Sequence, residues 1–222
     1  MTPVQLTSIG LFIDGGYYLK INEGLGKTGG GKVNLYNLIG YVQLAIANRF
    51  GLDKSSCKVT ESHFFIGRFR ADDTTDDELL EDREFEDRLI YNDVVFHYKH
   101  IGILANQQHK EKGIDVWFAL ETYELSLFRD FDFVVLITGD ADHEMLARKI
   151  KALKKQVVLL TWNFAEPDST SPALLEEGTF HIDLASLAKD RYFRDLLTGR
   201  RRTFLELCQD AKIPFMKDPL QK

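Results

Sequence analysis

The chain has 222 residues, of which 44% are hydrophobic and 28% are charged, enough for one domain with a sizeable core. Its formal net charge is −6, unlike the basic balance of general nucleic-acid-binding proteins, although the distribution of charge matters more than the sum. No apolar run approaches the ~18 residues that a transmembrane helix needs, so we expect no membrane partner.

The cysteines and the first residues bear on the cellular compartment. Cys57 and Cys208 are far apart and match no metal-binding or redox spacing, so both are expected to be free thiols in a reducing compartment. The first ten residues lack the basic start and the long apolar stretch of a signal peptide. We therefore expect a cytoplasmic protein.

Apolar runs alternate along the chain with segments of helical periodicity. Predicted strands cover residues 9–13, 58–67, 93–101, 132–138, 156–162 and 178–184. Predicted helices cover residues 35–50, 76–92, 113–128 and 142–155. This alternation predicts an α/β fold with a central parallel sheet and helices on both faces.

Two stretches depart from this alternation. Residues 24–33 are rich in glycine and predict a flexible loop. From about residue 186 onward the sequence predicts two short helices that are broken at Gly199. We therefore expect one domain over residues 1–185 and a C-terminal helical extension over residues 186–222.

Aspartates stand where two of the predicted strands end. Asp14 closes the first strand, Asp140 closes the strand at 132–138, and Asp142 lies two residues further on. Ligands of open parallel sheets bind outside the carboxyl ends of the strands. Each aspartate alone is compatible with a turn or with a helix cap, which contributes ~1 kcal/mol. Several carboxylates at one edge would repel each other, and a bound cation or proton uptake usually relieves such repulsion.

A third acidic position opens the predicted helix at 113–128. Asp115 lies three residues after Lys112, and a carboxylate there interacts favourably with the helix N-terminus. If the strand before this helix ends at the carboxyl edge of the sheet, Asp115 reaches the same pocket as Asp14 and Asp140. We then expect these three carboxylates to converge within the reach of one metal ion.

The segments that contain these aspartates, "FIDGGYYL", "KGIDVWFALE" and "VLITGDADHEML", together resemble the signature segments of the NYN-domain family, a branch of the PIN-like nuclease superfamily. The resemblance covers roughly residues 9–184. It implies a PIN-like fold whose acidic pocket binds Mg²⁺ or Mn²⁺ and cleaves RNA. On this resemblance Asp14, Asp115 and Asp140 match the metal-binding aspartates of the family, and Asp142 matches its fourth acid.

The residue types suit that chemistry because hard divalent cations prefer carboxylate oxygen and water. A bound ion can activate a water molecule and stabilise the oxygens of a phosphodiester. Two positions depart from the family, since Tyr17 stands where asparagine is common and His143 where phenylalanine is common. Tyr17 is either a base-stacking or a space-filling side chain. His143 is either a phosphate contact or an exposed residue of the first helical turn.

Basic residues are the candidates for further contact with the RNA backbone. They are Lys32 in the glycine-rich stretch, Lys112 before Asp115, and the C-terminal cluster of Arg200, Arg201 and Arg202. For the arginines, a plain surface helix is an equally good interpretation.

The glycine-rich stretch also contains an incomplete phosphate-binding loop. Gly26, Gly31 and Lys32 have the spacing of that motif, but Val33 replaces the Ser or Thr that should hold Mg²⁺. No predicted strand directly precedes the stretch, which also argues against a nucleotide-binding loop. A flap near the pocket is the better interpretation.

Other functions remain open at this point. A non-catalytic RNA- or protein-binding module would keep the same acidic pocket. A small-molecule phosphohydrolase of the haloacid-dehalogenase type needs a second acid two residues after Asp14, where Gly16 stands. The acidic run at residues 71–88 predicts a solvated helix face that repels nucleic acid. That run leaves open a basic protein partner, and the sequence also leaves open a homodimer.

Overall fold

The structure is a computed structural model, and it describes residues 6–29, 31–103, 109–110, 113–163 and 169–199. For residues 102–103 and 109–110 it describes the backbone alone. Several predicted features lie outside the described residues, namely Lys112, Cys208, the cluster of Arg200, Arg201 and Arg202, and the extension from residue 200 onward.

Strands and helices alternate along most of the chain. The strands are β1 (Thr7–Asp14), β2 (Cys57–Arg68), β3 (Val94–His100), β4 (Gly102–Ile103), β5 (His109–Lys110), β6 (Phe133–Ile137), β7 (Gln156–Thr161) and β8 (Phe180–Asp183). The α-helices are α1 (Gly15–Lys27), α2 (Leu35–Phe50), α3 (Asp76–Tyr91), α4 (Ile114–Phe128), α5 (Glu144–Ala152), α6 (Pro172–Glu177), α7 (Leu184–Ala188) and α8 (Arg191–Leu197). Short 3₁₀ turns cover Ala71–Asp73 and Ala141–His143.

Six of the strands form one parallel sheet in the order β3-β2-β1-β6-β7-β8. The chain winds outward from β1 to β3, crosses back to β6, and then winds outward to β8. The order therefore reverses between β1 and β6, where Ile13 pairs with Ile137. In open α/β sheets the crevice at such a switch point is where ligands bind. The predicted α/β fold with a central parallel sheet is confirmed.

Helices cover both faces of the sheet and bury two separate apolar cores. Alternating side chains of β1 divide between them, because successive residues of a strand point to opposite faces. Ile13 belongs to the core beneath α1, α2, α7 and α8, and Phe12 to the core beneath α4 and α5. None of the helices in the described part of the chain is long and apolar enough to cross a membrane.

Helix α1 is one of the elements that the sequence pattern does not predict, as is α6. Four of its thirteen residues are glycine, and each glycine costs a helix about 1 kcal/mol relative to alanine. Tertiary packing outweighs this cost, since Tyr18, Ile21 and Leu25 recur at helical spacing and are buried in the first core. The helix continues to Lys27, so the loop predicted over residues 24–33 is wrong for its first four residues.

Candidate active site

The first carboxylate of the candidate site ends β1. Asp14 is the N-cap of α1, and its Oδ1 accepts a hydrogen bond from the backbone N–H of Tyr17 at 3.2 Å. Its Oδ2 accepts a second hydrogen bond from Thr138 Oγ1 at 3.1 Å. Thr138 directly follows β6 and is fully buried. Two hydrogen bonds from two elements therefore fix this carboxylate at the switch point, where it is both a helix cap and a candidate ligand.

The second carboxylate follows β6. Asp140 caps the 3₁₀ turn before α5, and its Oδ1 accepts a hydrogen bond from the backbone N–H of Asp142 at 3.0 Å. At the preceding Gly139, a Cβ would lie 2.3 Å from Tyr17 Cε2 and 2.5 Å from the carbonyl oxygen of Ser169. Because no side chain can occupy that space, glycine allows three segments of the chain to pass close together beside Asp140.

The third carboxylate lies in the first turn of α4. Gly113 is the N-cap of this helix and has φ +85°, a left-handed conformation that favours glycine. Asp115 follows two residues later. Partial burial, and then the charges of Asp14 and Asp140, raise the pKa of the Asp115 carboxyl group. A like charge raises a carboxyl pKa only when it lies nearby, so the three acids form one electrostatic group.

A cavity of about 450 Å³ opens between the carboxyl ends of β1 and β6. It is lined by Asp14, Gly16, Tyr17, Lys20, Asp115, Gly139, Asp140, Ala141, Ser169, Thr170 and Ser171. Three of the four predicted acids, from three distant parts of the sequence, therefore share one cavity. The fourth, Asp142, is exposed on the 3₁₀ turn and does not line it.

The carboxylates share the cavity without already forming a closed metal site. Within the described ranges, no three Asp, Glu, His or Cys side chains lie close enough together to hold an ion. The expectation that the carboxylates of Asp14, Asp115 and Asp140 converge within the reach of one ion is therefore not met by the side chains as they stand. The donor chemistry nevertheless fits Mg²⁺ or Mn²⁺, because Mg²⁺ usually keeps several waters and binds through one or two carboxylates. A cation would also offset the repulsion that raises the pKa of Asp115.

Tyr17 is a packed side chain and not an open stacking platform. Only 6% of its surface is exposed. Its hydroxyl oxygen accepts a hydrogen bond from the backbone N–H of Trp162 at 3.0 Å and lies 2.9 Å from Thr170 Oγ1. Base stacking on this ring would require the neighbouring segment to leave, so of the two interpretations offered for Tyr17 the structure supports the space-filling one.

His143 is buried, contrary to the expectation of an exposed residue in the first helical turn. Only 1% of its surface is exposed, and its ring packs against Phe118 with 4.6 Å between the ring centroids. Its Nδ1 lies 2.9 Å from Thr138 Oγ1. Since the Thr138 hydroxyl donates its one hydrogen to Asp14, His143 Nδ1 carries the proton and donates to Thr138. His143 therefore supports the carboxylate of Asp14 through Thr138 and does not line the cavity.

The other predicted phosphate contacts lie away from the cavity or outside the described residues. Lys32 Nζ lies 3.7 Å from Glu81 Oε2, and both side chains are largely exposed. Lys32 does not line the cavity, and its segment connects α1 to α2, so the incomplete phosphate-binding loop does not follow a strand as that motif requires. Lys112 and the arginine cluster at 200–202 are not described.

The acidic run at residues 71–88 forms a 3₁₀ turn and most of α3. Arg68 on β2 donates a hydrogen bond to Asp82 at 2.9 Å and another to Glu86, which offsets part of the charge. Leu89 is the one residue of α3 that is buried, so the helix presents most of its surface to solvent, as predicted. A basic partner for this helix and a homodimer remain predictions.

Sequence reasoning missed one side of the cavity. Lys20 reaches it from α1, and Ser169, Thr170 and Ser171 reach it from the segment between β7 and α6. A weak signal for Lys20 existed, because it lies four residues after Gly16 and so shares that residue's face of a helix. The three hydroxyl residues gave no signal, because their place depends on contacts across the fold.

A comparison with known protein families finds a match over most of the chain. The model of the NYN domain matches residues 8–185, which include all four predicted acids. Among curated proteins and among solved structures there is no significant match.

Proposed function

The chain belongs to the NYN domain family, and from this premise we propose that it is a divalent-metal-dependent ribonuclease. The observation that carries the proposal is the shared cavity of Asp14, Asp115 and Asp140 at the point where the strand order reverses. Membership of the family supports a nuclease, and the donor set supports a metal-dependent one.

On this proposal Asp14, Asp115 and Asp140 hold Mg²⁺ or Mn²⁺, and Asp142 assists through a water molecule. When bound, such an ion supplies an activated water and stabilises the negative charge that develops on the phosphodiester oxygens.

The contribution of the protein is to hold the carboxylates in place before the substrate arrives. Thr138 and the N–H of Tyr17 fix both oxygens of Asp14, and the N–H of Asp142 fixes one oxygen of Asp140. Partners of this kind orient metal ligands and typically contribute 10–100-fold to metal affinity or activity. Asp14 and Asp140 are therefore held in a defined orientation, from which catalysis gains.

The charge of the site explains why RNA binding should depend on the metal. Three carboxylates line the cavity and the whole chain carries a net charge of −6. A phosphodiester brings further negative charge, so it enters the acidic part of the cavity only when a cation offsets the repulsion. We therefore expect RNA to bind at this site much more tightly with Mg²⁺ or Mn²⁺ than with EDTA.

The direct test is RNA cleavage by the purified protein and a double variant. End-labelled single-stranded and hairpin RNA are incubated with Mn²⁺, Mg²⁺ or EDTA. The Asp14→Asn/Asp140→Asn variant should lose activity by about 100-fold or more, since a metal ion contributes several kcal/mol to transition-state stabilisation and ~1.4 kcal/mol corresponds to tenfold.

A matched variant controls for the loss of two charges. Asp87 and Asp130 are exposed, and neither lines the cavity. The Asp87→Asn/Asp130→Asn variant should cleave like the unmodified protein. Cleavage that survives in Asp14→Asn/Asp140→Asn, or that continues in EDTA, would rule out the proposed function.

A non-catalytic RNA-binding module is the second candidate. The observation that favours it is the absence, among the described residues, of three ligand side chains already close enough to hold an ion. This candidate predicts RNA binding with no cleavage by any variant. The same assay therefore separates the two functions when gel-shift binding is measured beside product formation.

A further inference from the structure

Beside the acidic wall, which Asp14, Asp115 and Asp140 form, the cavity has a second wall that consists of one cation and three hydroxyl groups. Lys20 comes from α1, and Ser169, Thr170 and Ser171 come from the segment between β7 and α6. Of the described residues that line the cavity, Lys20 alone carries a positive charge. The proposed metal site accounts for the carboxylates but gives these four residues no role.

The local structure of α1 directs Lys20 toward the carboxylates. Lys20 lies one helical turn after Gly16, and long side chains on a helix lean toward its N-terminus. A Cβ at Gly16 would lie 3.4 Å from Asp14 Oδ1, so a larger side chain there would occupy the space in front of Asp14. Glycine at this position leaves the space in front of Asp14 open on the side from which Lys20 approaches.

The hydroxyl groups are held in place by hydrogen bonds to other segments. Thr170 Oγ1 lies 2.9 Å from the hydroxyl oxygen of Tyr17, which also accepts a hydrogen bond from the backbone N–H of Trp162. The N–H of Ser171 donates to the carbonyl of Gly139 at 2.9 Å, so the segment is fixed against the acidic wall.

We propose that Lys20, Thr170 and Ser171 form a phosphate-binding subsite, which holds an RNA backbone phosphate next to the phosphodiester at the carboxylates. This inference rests on the proposed ribonuclease function. Ammonium and hydroxyl groups are typical donors to backbone phosphates, and such contacts position nucleic acid without reading its sequence. Ser169 Oγ donates to the carbonyl of Asn163, so its role is to hold the segment.

The two walls would then bind the phosphates of a nucleic acid by different interactions. The acidic wall takes a phosphate only together with a cation, whereas the second wall binds a phosphate directly. Two adjacent phosphates of one strand would be held in different ways, and the second contact would fix the register of the strand over the carboxylates. The subsite should affect the affinity for RNA more than the rate of the chemical step.

The test measures steady-state cleavage of labelled oligouridine by Lys20→Gln and Lys20→Arg over a range of KCl concentrations. Lys54→Gln is the matched control, because Lys54 is exposed before β2, at the opposite edge of the sheet. Lys20→Gln should raise KM by about tenfold, as expected for one charge-assisted hydrogen bond, with a smaller effect on kcat. The slope of the logarithm of affinity against the logarithm of salt concentration should become shallower by about one, as expected for the loss of one phosphate contact. Lys20→Arg should retain most of the affinity.

A parallel measurement separates this inference from the proposed function. Fluorescence anisotropy of the same oligouridine with Ca²⁺ reports binding without requiring turnover. Weaker binding by Lys20→Gln but not by Lys54→Gln supports the subsite, even if no variant cleaves RNA. Cleavage with unchanged KM, anisotropy and salt dependence in Lys20→Gln would overturn the subsite and leave the ribonuclease in place. An equal loss in Lys54→Gln would also overturn it, because the effect would then be one of general charge.

Discussion

The two walls of the cavity differ in how their residues come together. On the acidic wall, Asp14 and Asp140 follow neighbouring strands and Asp115 begins a helix, so the backbone topology alone brings them to one edge of the sheet. On the second wall, Lys20 lies inside α1, and the hydroxyl groups of residues 169–171 reach the cavity through hydrogen bonds to other segments. Topology therefore places the carboxylates, and contacts with other segments place the groups of the second wall.

This difference explains which parts of the site the sequence could predict. Asp14 and Asp140 were predictable because an apolar run followed by a capping residue marks a strand end, and strand ends share an edge. Thr170 was not, because its contact with Tyr17 spans 153 positions in the chain. His143 was misjudged because a 3₁₀ turn precedes α5, so the helix begins at Glu144. That turn directs the imidazole into the core instead of outward.

The fold was easier to predict than the site, for the same reason. A strand buried on both faces, such as β6 with the sequence FVVLI, is evident from its composition alone. Helix α1 was missed because local propensity opposes it, and its stability comes from packing that the sequence does not display. Its first turn nevertheless carries Gly16 and leads to Lys20, so Lys20 was missed together with the helix that carries it.

The largest effect within the acidic wall alone is expected from Thr138→Val. The change removes the hydroxyl that orients Asp14 and leaves the buried Nδ1–H of His143 without an acceptor. Activity and Mn²⁺ affinity should each fall by about 10–100-fold, and the free energy of unfolding by about 1–3 kcal/mol. Titrating Mn²⁺ in the cleavage assay and measuring denaturant unfolding check these values.

Thr138→Ser is the control for this prediction, since it retains the hydroxyl group in a smaller side chain. It should keep most of the Mn²⁺ affinity. If Thr138→Val binds Mn²⁺ as tightly as Thr138→Ser does, the hydroxyl does not orient the ligand.

A smaller effect, confined to the second wall, is expected from Tyr17→Phe. The ring keeps its packing, but Thr170 and the N–H of Trp162 lose their common partner. The free energy of unfolding should fall by about 1–3 kcal/mol, and KM for oligouridine should rise by less than in Lys20→Gln. Affinity for Mn²⁺ should be unchanged. A drop in Mn²⁺ affinity as large as that in Thr138→Val would mean that the two walls are not separate.

The smallest effect is a pH-dependent gain in stability from Asp115→Asn in EDTA. Because the folded state raises the pKa of Asp115 above its ordinary value of 3.8, folding favours the protonated carboxyl group. Its stabilising contribution is complete below pH 3.8 and is lost as the pH rises through the raised pKa. At neutral pH the ionised carboxylate therefore weakens the fold, and Asp115→Asn should melt at a higher temperature than the unmodified protein.

Melting curves in EDTA at a series of pH values test this predicted direction of the change in melting temperature. The advantage of Asp115→Asn should shrink as the pH falls toward 3.8, whereas Asp130→Asn, at an exposed position outside the cavity, should show no such trend. Addition of Mn²⁺ should remove the advantage, because the cation stabilises the ionised carboxylates. A gain that is the same at every pH would show that repulsion among the carboxylates is not its cause.

The central claim is that the carboxylates at the switch point bind a divalent cation for RNA cleavage, and calorimetric titration with Mn²⁺ tests its first half most directly. The unmodified protein and Asp87→Asn/Asp130→Asn should bind Mn²⁺ with equal affinity, and Asp14→Asn/Asp140→Asn should show no measurable binding in the same range. Equal Mn²⁺ binding by all three proteins would contradict the account, because the metal would then lie elsewhere.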